Sequence, residues 1–442
     1  MTTDVVILAA GQGSRMRSQL PKVLHPLAGK PMVRHVIDAA KCFTDARLHV
    51  VIGHGAELVR EALADEDVTF AVQSEQKGTG HAVAQALGNV GEDKVLILYG
   101  DVPLIKPETL IELLEQVDEY HLGLLTVTMA QPKGYGRIVR DAEGRVSAIV
   151  EEKDATEEQR LIKECNTGIL ATTGAQLKRW LPALSSNNAQ GEYYLTDIIA
   201  MAAAEGVLVA TAEPATSTEV QGVNDRVQLS ALERVYQSWQ VEALMREGAS
   251  IADPKRVDVR GHLEVGRDVL IDVGCIFEGD VTLGDGVSVG PYSVIRNSRI
   301  GAGTVIEAYS LIDGAEIEGE STVGPYARLR PGTSLARGAR IGNFVETKNA
   351  RIGAGSKINH LSYVGDASLG QGVNVGAGTI TCNYDGVNKH HTEIGDNVFV
   401  GSNSALVAPV SVGNGATIAA GSTITDRAVS YTHLTLPTIC SV

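Results

Sequence analysis

Beyond about residue 250, apolar residues recur at every sixth position: Val305, Leu311, Ile317, Val323, Leu329, Leu335 and Ile341. After a slip the ladder resumes at Ile352, Ile358 and Val364, and again at Ile394, Val400, Leu406, Val412, Ile418 and Ile424. Gly often follows, as in Ile352-Gly353 and Ile394-Gly395. A helix repeats its faces every 3.6 residues and a strand every two, so neither produces this pattern. A parallel β-helix of hexapeptide repeats does: six residues make one short strand and a turn, and three strands make a coil. The aliphatic residue then points inward and stacks on its counterpart one coil away, while glycines and small residues permit the corners. The period leaves the handedness open. The ladder breaks at "TCNYDGVNKHHTEIG", where an insertion of about ten residues must project as a loop, a common seat of function on a rigid scaffold.

The first half has a different texture. Up to residue 224, strand-like runs (Val5–Ala10, Leu48–Ile52, Val68–Val72, Val95–Tyr99, Leu122–Met129) alternate with helix-like stretches such as Met32–Lys41 and His81–Val90. This reads as βαβ units building a mostly parallel, doubly wound α/β domain, whose ligands sit at the carboxyl ends of the strands. From Asp225 to Glu247 the apolar residues fall three and four apart and Gly248 follows, the pattern of a connecting helix. The expected organisation is residues 1–224, a linker helix 225–248, a β-helix 249–429 and a tail 430–442.

At 442 residues, two or three domains are expected. The net charge of −15 comes without a basic block, which disfavours a nucleic-acid partner, because that binding needs clustered Lys and Arg. No apolar run approaches the length of a membrane span, and Val5–Ala10 is too short for a signal segment. Cys42, Cys165, Cys275, Cys382 and Cys440 are scattered without a CxxC, and read as free thiols of a reducing cytoplasm.

Candidate chemistry begins at "LAAGQGSRM". Gly11 and Gly13 let the backbone curl so that several N–H groups face one anion, and Arg15 and Lys22 add positive charge. The spacing is neither a P-loop nor G-x-G-x-x-G, and a plain strand–turn–helix accounts for it equally well. In "LILYGDVPL", Asp101 ends an apolar strand and is either a capping carboxylate or a ligand for Mg²⁺, a cation that takes oxygen ligands and leans on substrate phosphates. In "QSEQKGTGHAV", Gly78, Thr79 and Gly80 let a nucleobase lie against the main chain. "KGYGRIV", "IVEEKDA", "ECNTGIL" and the Asn224 of "GVNDR" complete the set. In the second half, "KINHLSYVG" puts His360 and Tyr363 on one turn. A His there is more often a surface residue, but "ARLRPGT" and "FVETKNA" bring Arg330 and Lys348 to nearby coils.

Taken in order, these motifs resemble the sugar-nucleotide pyrophosphorylases. With the hexapeptide half, the chain to about residue 427 resembles a family of bifunctional bacterial enzymes. These are at once N-acetylglucosamine-1-phosphate uridyltransferases and glucosamine-1-phosphate acetyltransferases. The resemblance implies a left-handed β-helix, Mg²⁺ as cofactor, UTP and acetyl-CoA as co-substrates, and a homotrimer. For uridylyl transfer it implies phosphate contacts from Leu8, Ala9, Ala10, Gly11, Arg15 and Lys22, and uracil contacts from Gln73, Gly78 and Thr79. It further implies a site wall of Tyr99, Gly100 and Asp101, metal ligation by Asp101 and Asn224, and sugar contacts from Gly136, Glu151 and Asn166. For acetyl transfer it implies sugar-phosphate binding by Arg330, Lys348, Tyr363 and Asn374, with His360 as general base. Ala377, Asn383, Tyr384, Ser402 and Ala420 would contact acetyl-CoA.

The tail departs from that family. "AVSYTHLTLPTICSV" has no Lys or Arg, whereas the family ends in a longer basic tail with an arginine on the coenzyme A phosphates. From Ser430 onward it reads as a non-native stretch, expected to pack poorly and to lack ordered structure. A native tail of this kind would cost acetyl-CoA a charge-assisted contact, worth roughly 1.5–3 kcal/mol. Two other readings stand beside the bifunctional one: a nucleotidyltransferase with a silent, oligomerising β-helix, and a sugar-nucleotide sensor on a trimerising scaffold.

Overall fold

The computed structural model describes residues 2–430 and the pair His433–Leu434. The chain divides into two units, Met1–Glu233 and Arg234–Val442, and the helix Arg226–Glu247 runs across residue 233.

The first unit is built on nine strands: β1 Thr3–Leu8, β2 Ala46–Ile52, β3 Val68–Val72, β4 Lys94–Tyr99, β5 His121–Thr128, β6 Arg137–Arg140, β7 Val146–Val150, β8 Glu164–Thr173 and β9 Leu208–Ala212. Their order is β9-β5-β8-β4-β1-β2-β3, with β6 joining β8 and β7. The run β4-β1-β2-β3 is parallel, as the alternating pattern predicts. Strand β8 is a difference: it lies antiparallel to both β4 and β5. The central strand β1 is buried on both faces. Val5 and Ile7 enter one core with Val36 and Leu113, whereas Val6 and Leu8 enter another with Val83 and Leu177. A strand covered by helices on both sides must be continuously apolar, which is why Val5–Leu8 carries no polar residue. The carboxyl ends of β1 and β4 both open toward the Gly11 loop.

The second unit is a parallel β-helix. Thr322 pairs with Arg340, Arg340 with Lys357, and Lys357 with Asn374, so a coil takes 17 or 18 residues. The next step, Asn374 to Phe399, takes 25. The insertion is therefore seven or eight residues, shorter than the sequence suggests. From Ile317 onward the predicted ladder residues are all buried. The first two are corrected: Val305 is 37% exposed and Leu311 is half-buried, while Ile306 and Ile312 fill the core. Val241 and Leu244 of the helix Arg226–Glu247 close the N-terminal end of this core. Gln237 seals the join, donating to the Val259 carbonyl and accepting from the Val259 N–H at 2.8 Å each.

The expectation of a tail without order is corrected at two residues, since His433–Leu434 pairs in parallel with Thr417–Ile418. Residues 431, 432 and 435–442 lie outside those described, Cys440 among them. Cys42, Cys165, Cys275 and Cys382 are free thiols, and burial pushes Cys275 up to about 11. Among the described residues no helix is long and apolar enough to cross a membrane.

Candidate active sites

A cleft of ≈ 280 Å³ opens at the carboxyl ends of β1 and β4. Leu8, Ala9, Ala10, Gly11, Lys22, Gln73, Gly78, Thr79, Tyr99 and Asp101 line it, ten of the residues singled out in the sequence. Gly13 bends the loop: it sits at φ 61°, and a Cβ there would fall 2.6 Å from the Lys22 Cβ. The loop thus presses against the lysine stem. Among the described residues no acceptor takes the N–H groups of Gly11, Gln12 or Gly13, which suits a loop that offers them to an anion. Gly78, at φ 106°, brings its backbone against Tyr193, whose carbonyl oxygen would be 2.6 Å from a Cβ. Gln73 is buried, and its amide donates to the Gly78 carbonyl at 3.1 Å.

At the mouth, the Lys22 ammonium pairs with Asp101 Oδ2 and lies 3.4 Å from Asn224 Oδ1, which also accepts from Arg15 at 3.0 Å. The Val223 N–H donates to the Asp101 carbonyl at 2.9 Å, tying the segment before Asn224 to the end of β4. Two side-chain oxygens thus converge on one cation position, which fits a divalent ion held by a carboxylate and an amide. Among the described residues no group of three His, Cys, Asp or Glu could hold a metal. The remaining ligands would be water and substrate phosphate, as Mg²⁺ prefers.

Gly136, Glu151 and Asn166 form an adjoining group. The Asn166 N–H donates to the Gly136 carbonyl at 2.9 Å, and a Cβ on Gly136 would lie 3.5 Å from Glu151 Oε1. Thr196 donates to Glu151 at 3.1 Å, yet burial pushes this carboxyl above its ordinary range. Tyr99 stands between the two groups: burial, then Glu151 and Asp101, push its hydroxyl upward. Gly100 belongs to the framework, since its N–H donates to the Leu8 carbonyl at 2.9 Å. Sequence reasoning missed Gln76, whose amide donates to the Ala10 carbonyl at 2.7 Å, and Glu192, which lines the cleft without a sequence signal.

On the β-helix the coils assemble the second group. Glu346 pairs in register with Tyr363, and Lys348 with Gly365. Arg330 donates to Glu346 Oε1 at 2.8 Å. The Lys348 ammonium is held below its ordinary value by the nearby Lys389 and by Arg330. Lys389 comes from the inserted loop and was missed, although it lies inside the stretch that breaks the ladder. His360 is exposed, and its Nδ1 lies 2.8 Å from Asn343 Oδ1. Asn374 sits one coil further, in register with Lys357. Ala377 and Ser402 occupy successive turns of one corner, their carbonyls accepting from Asn403 and Gly421 at 2.7 and 2.8 Å, and Ala420 precedes Gly421. In the loop, Asn383 donates to Asp366 at 2.5 Å and the exposed Tyr384 donates to the Gly386 carbonyl at 2.6 Å.

Comparison with known proteins follows the same division. The model of the MobA-like NTP transferase domain matches residues 5–165. The bacterial transferase hexapeptide model (six repeats), the repeat of left-handed parallel β-helices, matches residues 262–297 and 391–426. The chain is 71% identical over 411 residues to the "Bifunctional protein GlmU" of Chromohalobacter salexigens, covering 93% of this chain and 91% of that protein. It is 62% identical over 422 residues to the protein of that name from Marinobacter nauticus, covering 95% and 93%. To its counterpart in Pseudomonas entomophila it is 60% identical over 426 residues, covering 96% and 94%.

Proposed function

We infer the function from one premise: this chain belongs to the family of bifunctional GlmU proteins. It is a two-site transferase. The β-helix moves the acetyl group of acetyl-CoA to the amine of glucosamine 1-phosphate, and the α/β unit moves the uridylyl group of UTP onto the product. UDP-N-acetylglucosamine and pyrophosphate leave, the former a precursor of cell wall and lipopolysaccharide.

In the α/β unit, the N–H groups of Gly11 to Gly13 with Arg15 and Lys22 hold phosphates. Gln73, Gly78 and Thr79 hold the uracil, and Gly136, Glu151 and Asn166 the N-acetylglucosamine ring. The sugar phosphate oxygen attacks the α-phosphorus in line, a meeting of two anions that positioned cations must offset. Asp101 and Asn224 would hold Mg²⁺, which would supply charge neutralisation between the phosphates. No covalent enzyme intermediate is needed.

On the β-helix, Arg330, Lys348, Tyr363 and Asn374 hold the sugar phosphate. Ala377, Asn383, Tyr384, Ser402 and Ala420 face acetyl-CoA. His360 takes the proton that the amine loses as its nitrogen bonds to the thioester carbon, and the C–S bond then breaks to release coenzyme A. We assign a homotrimer built through the β-helix and a cytoplasmic location, which the four free thiols among the described residues suit.

The observation that carries the reading is the convergence of Lys22, Asp101 and Asn224 on one point beside an anion-ready loop. The test supplies glucosamine 1-phosphate, acetyl-CoA, UTP and Mg²⁺, and follows free thiol and pyrophosphate separately. Both products are expected. Pyrophosphate released only when N-acetylglucosamine 1-phosphate is supplied would leave a nucleotidyltransferase with a silent β-helix.

A further inference from the structure

We propose that Asn343 is the positioning residue of the acetyl-transfer site, holding the His360 ring so that Nε2 presents its lone pair to the amine. This rests on the reading of His360 as general base. The coil repeat sets the pair. Asn343 and His360 are register partners on neighbouring strands, and the Leu361 N–H donates to the Asn343 carbonyl at 3.0 Å. Each is followed by a residue in the left-handed region, Phe344 at φ 55° and Leu361 at φ 47°, so both side chains leave from the same bend. Stacked strands lie about 4.8 Å apart, close enough for the amide to reach the ring, and Nδ1 and Oδ1 are 2.8 Å apart. The equivalent corner positions one coil to either side are Pro325 and Ala377, which have no polar side chain to compete.

The chemistry follows from the partner. An amide oxygen only accepts, so Nδ1 carries the hydrogen and Nε2 is left as the base. A neutral acceptor stabilises the imidazolium less than a carboxylate would. The charged and titratable groups on the strands packed around His360 are Arg340, Lys357, Glu346, Lys348, Arg351, Tyr363 and Asp366. They stay in place when Asn343 alone is changed.

The test measures both activities of the full chain across pH for Asn343→Ala, Asn343→Asp and His360→Ala. Asn343→Ala is expected to lower kcat of acetyl transfer roughly tenfold, the worth of one hydrogen bond, with KM values and uridylyl transfer unchanged. Asn343→Asp keeps an acceptor and is expected to restore most of kcat while moving the acid limb of kcat/KM up by roughly one pH unit. An Asn343→Ala enzyme with the original kcat, or an Asn343→Asp enzyme with an unmoved acid limb, overturns the proposal. Should Asn343→Ala fail to fold, as loss of the urea transition of the β-helix would reveal, the limb of Asn343→Asp decides. Full acetyl transfer by His360→Ala overturns the general-base reading itself. A dead His360→Ala beside an unaltered Asn343→Ala overturns only the positioning role.

Discussion

The two candidate sites gather charge in opposite ways. In the α/β unit, Lys22 lies 79 positions from Asp101 and 202 from Asn224, and the crossover topology folds them into a self-neutralised cluster. An anion entering there must exchange with an internal ion pair. On the β-helix, neighbouring strands deliver side chains about 17 residues apart, and Lys348, Lys389 and Arg330 crowd one another enough to hold the Lys348 ammonium below its ordinary value. A phosphate entering there relieves repulsion. On the proposed reading, the first site passes charge between cations during transfer, and the second is a fixed anion trap beside a base.

The largest expected effect separates the two most sharply. His360→Ala should lower acetyl transfer by about 10²–10⁴-fold and leave pyrophosphate release from N-acetylglucosamine 1-phosphate intact, as separate thiol and pyrophosphate assays would show. Lys22→Ala should do the reverse, lowering uridylyl transfer by about 10²–10³-fold with thiol release unchanged. A loss of both activities in either variant would mean that the sites are not independent.

Stability offers the next contrast, inside the β-helix. Ile341 is 1% exposed and stacks in the core, so Ile341→Ala should cost about 2–5 kcal/mol. Val305→Ala removes an outward side chain and should change stability by no more than about 0.5 kcal/mol. Urea unfolding followed by loss of acetyl transfer measures both. Equal costs would refute the inward assignment of Ile306 over Val305.

That pair also shows where sequence stops being informative. The six-residue period announces the β-helix, but Val305-Ile306 and Leu311-Ile312 are both aliphatic doublets, and a period alone cannot choose which member turns inward. Packing chooses, one residue out of step. The nucleotide cleft was legible because a glycine-bent loop, a lysine and a strand-ending aspartate each have a local chemical reason. Glu192 has none, and it reaches the cleft only through the fold. Strand β8 was missed for a related reason: its antiparallel place between β4 and β5 is a non-local pairing that no local pattern encodes. Asn343 became visible only when register put it under His360.

A pH-dependent effect is expected that is confined to the α/β unit. Asp4 is fully buried on β1, and burial alone would raise its carboxyl. Hydrogen bonds from Arg47 at 2.6 Å, His49 at 2.7 Å and the Gly91 N–H at 2.9 Å outweigh that and hold it below its ordinary value of 3.8. A carboxyl depressed in the folded state binds fewer protons than in the unfolded chain. Its stabilisation is therefore present above about pH 3.8 and is lost as pH falls through the lower folded value. Arg47 is half-exposed, so its share is screened and about 1 kcal/mol. Arg47→Ala should thus lower the stability of the α/β unit by that amount at neutral pH, and by progressively less as acid protonates Asp4. The β-helix, which contains neither residue, should unfold identically in both proteins. A difference that persisted undiminished in acid would mean that Arg47 contributes packing by its stem rather than charge to Asp4.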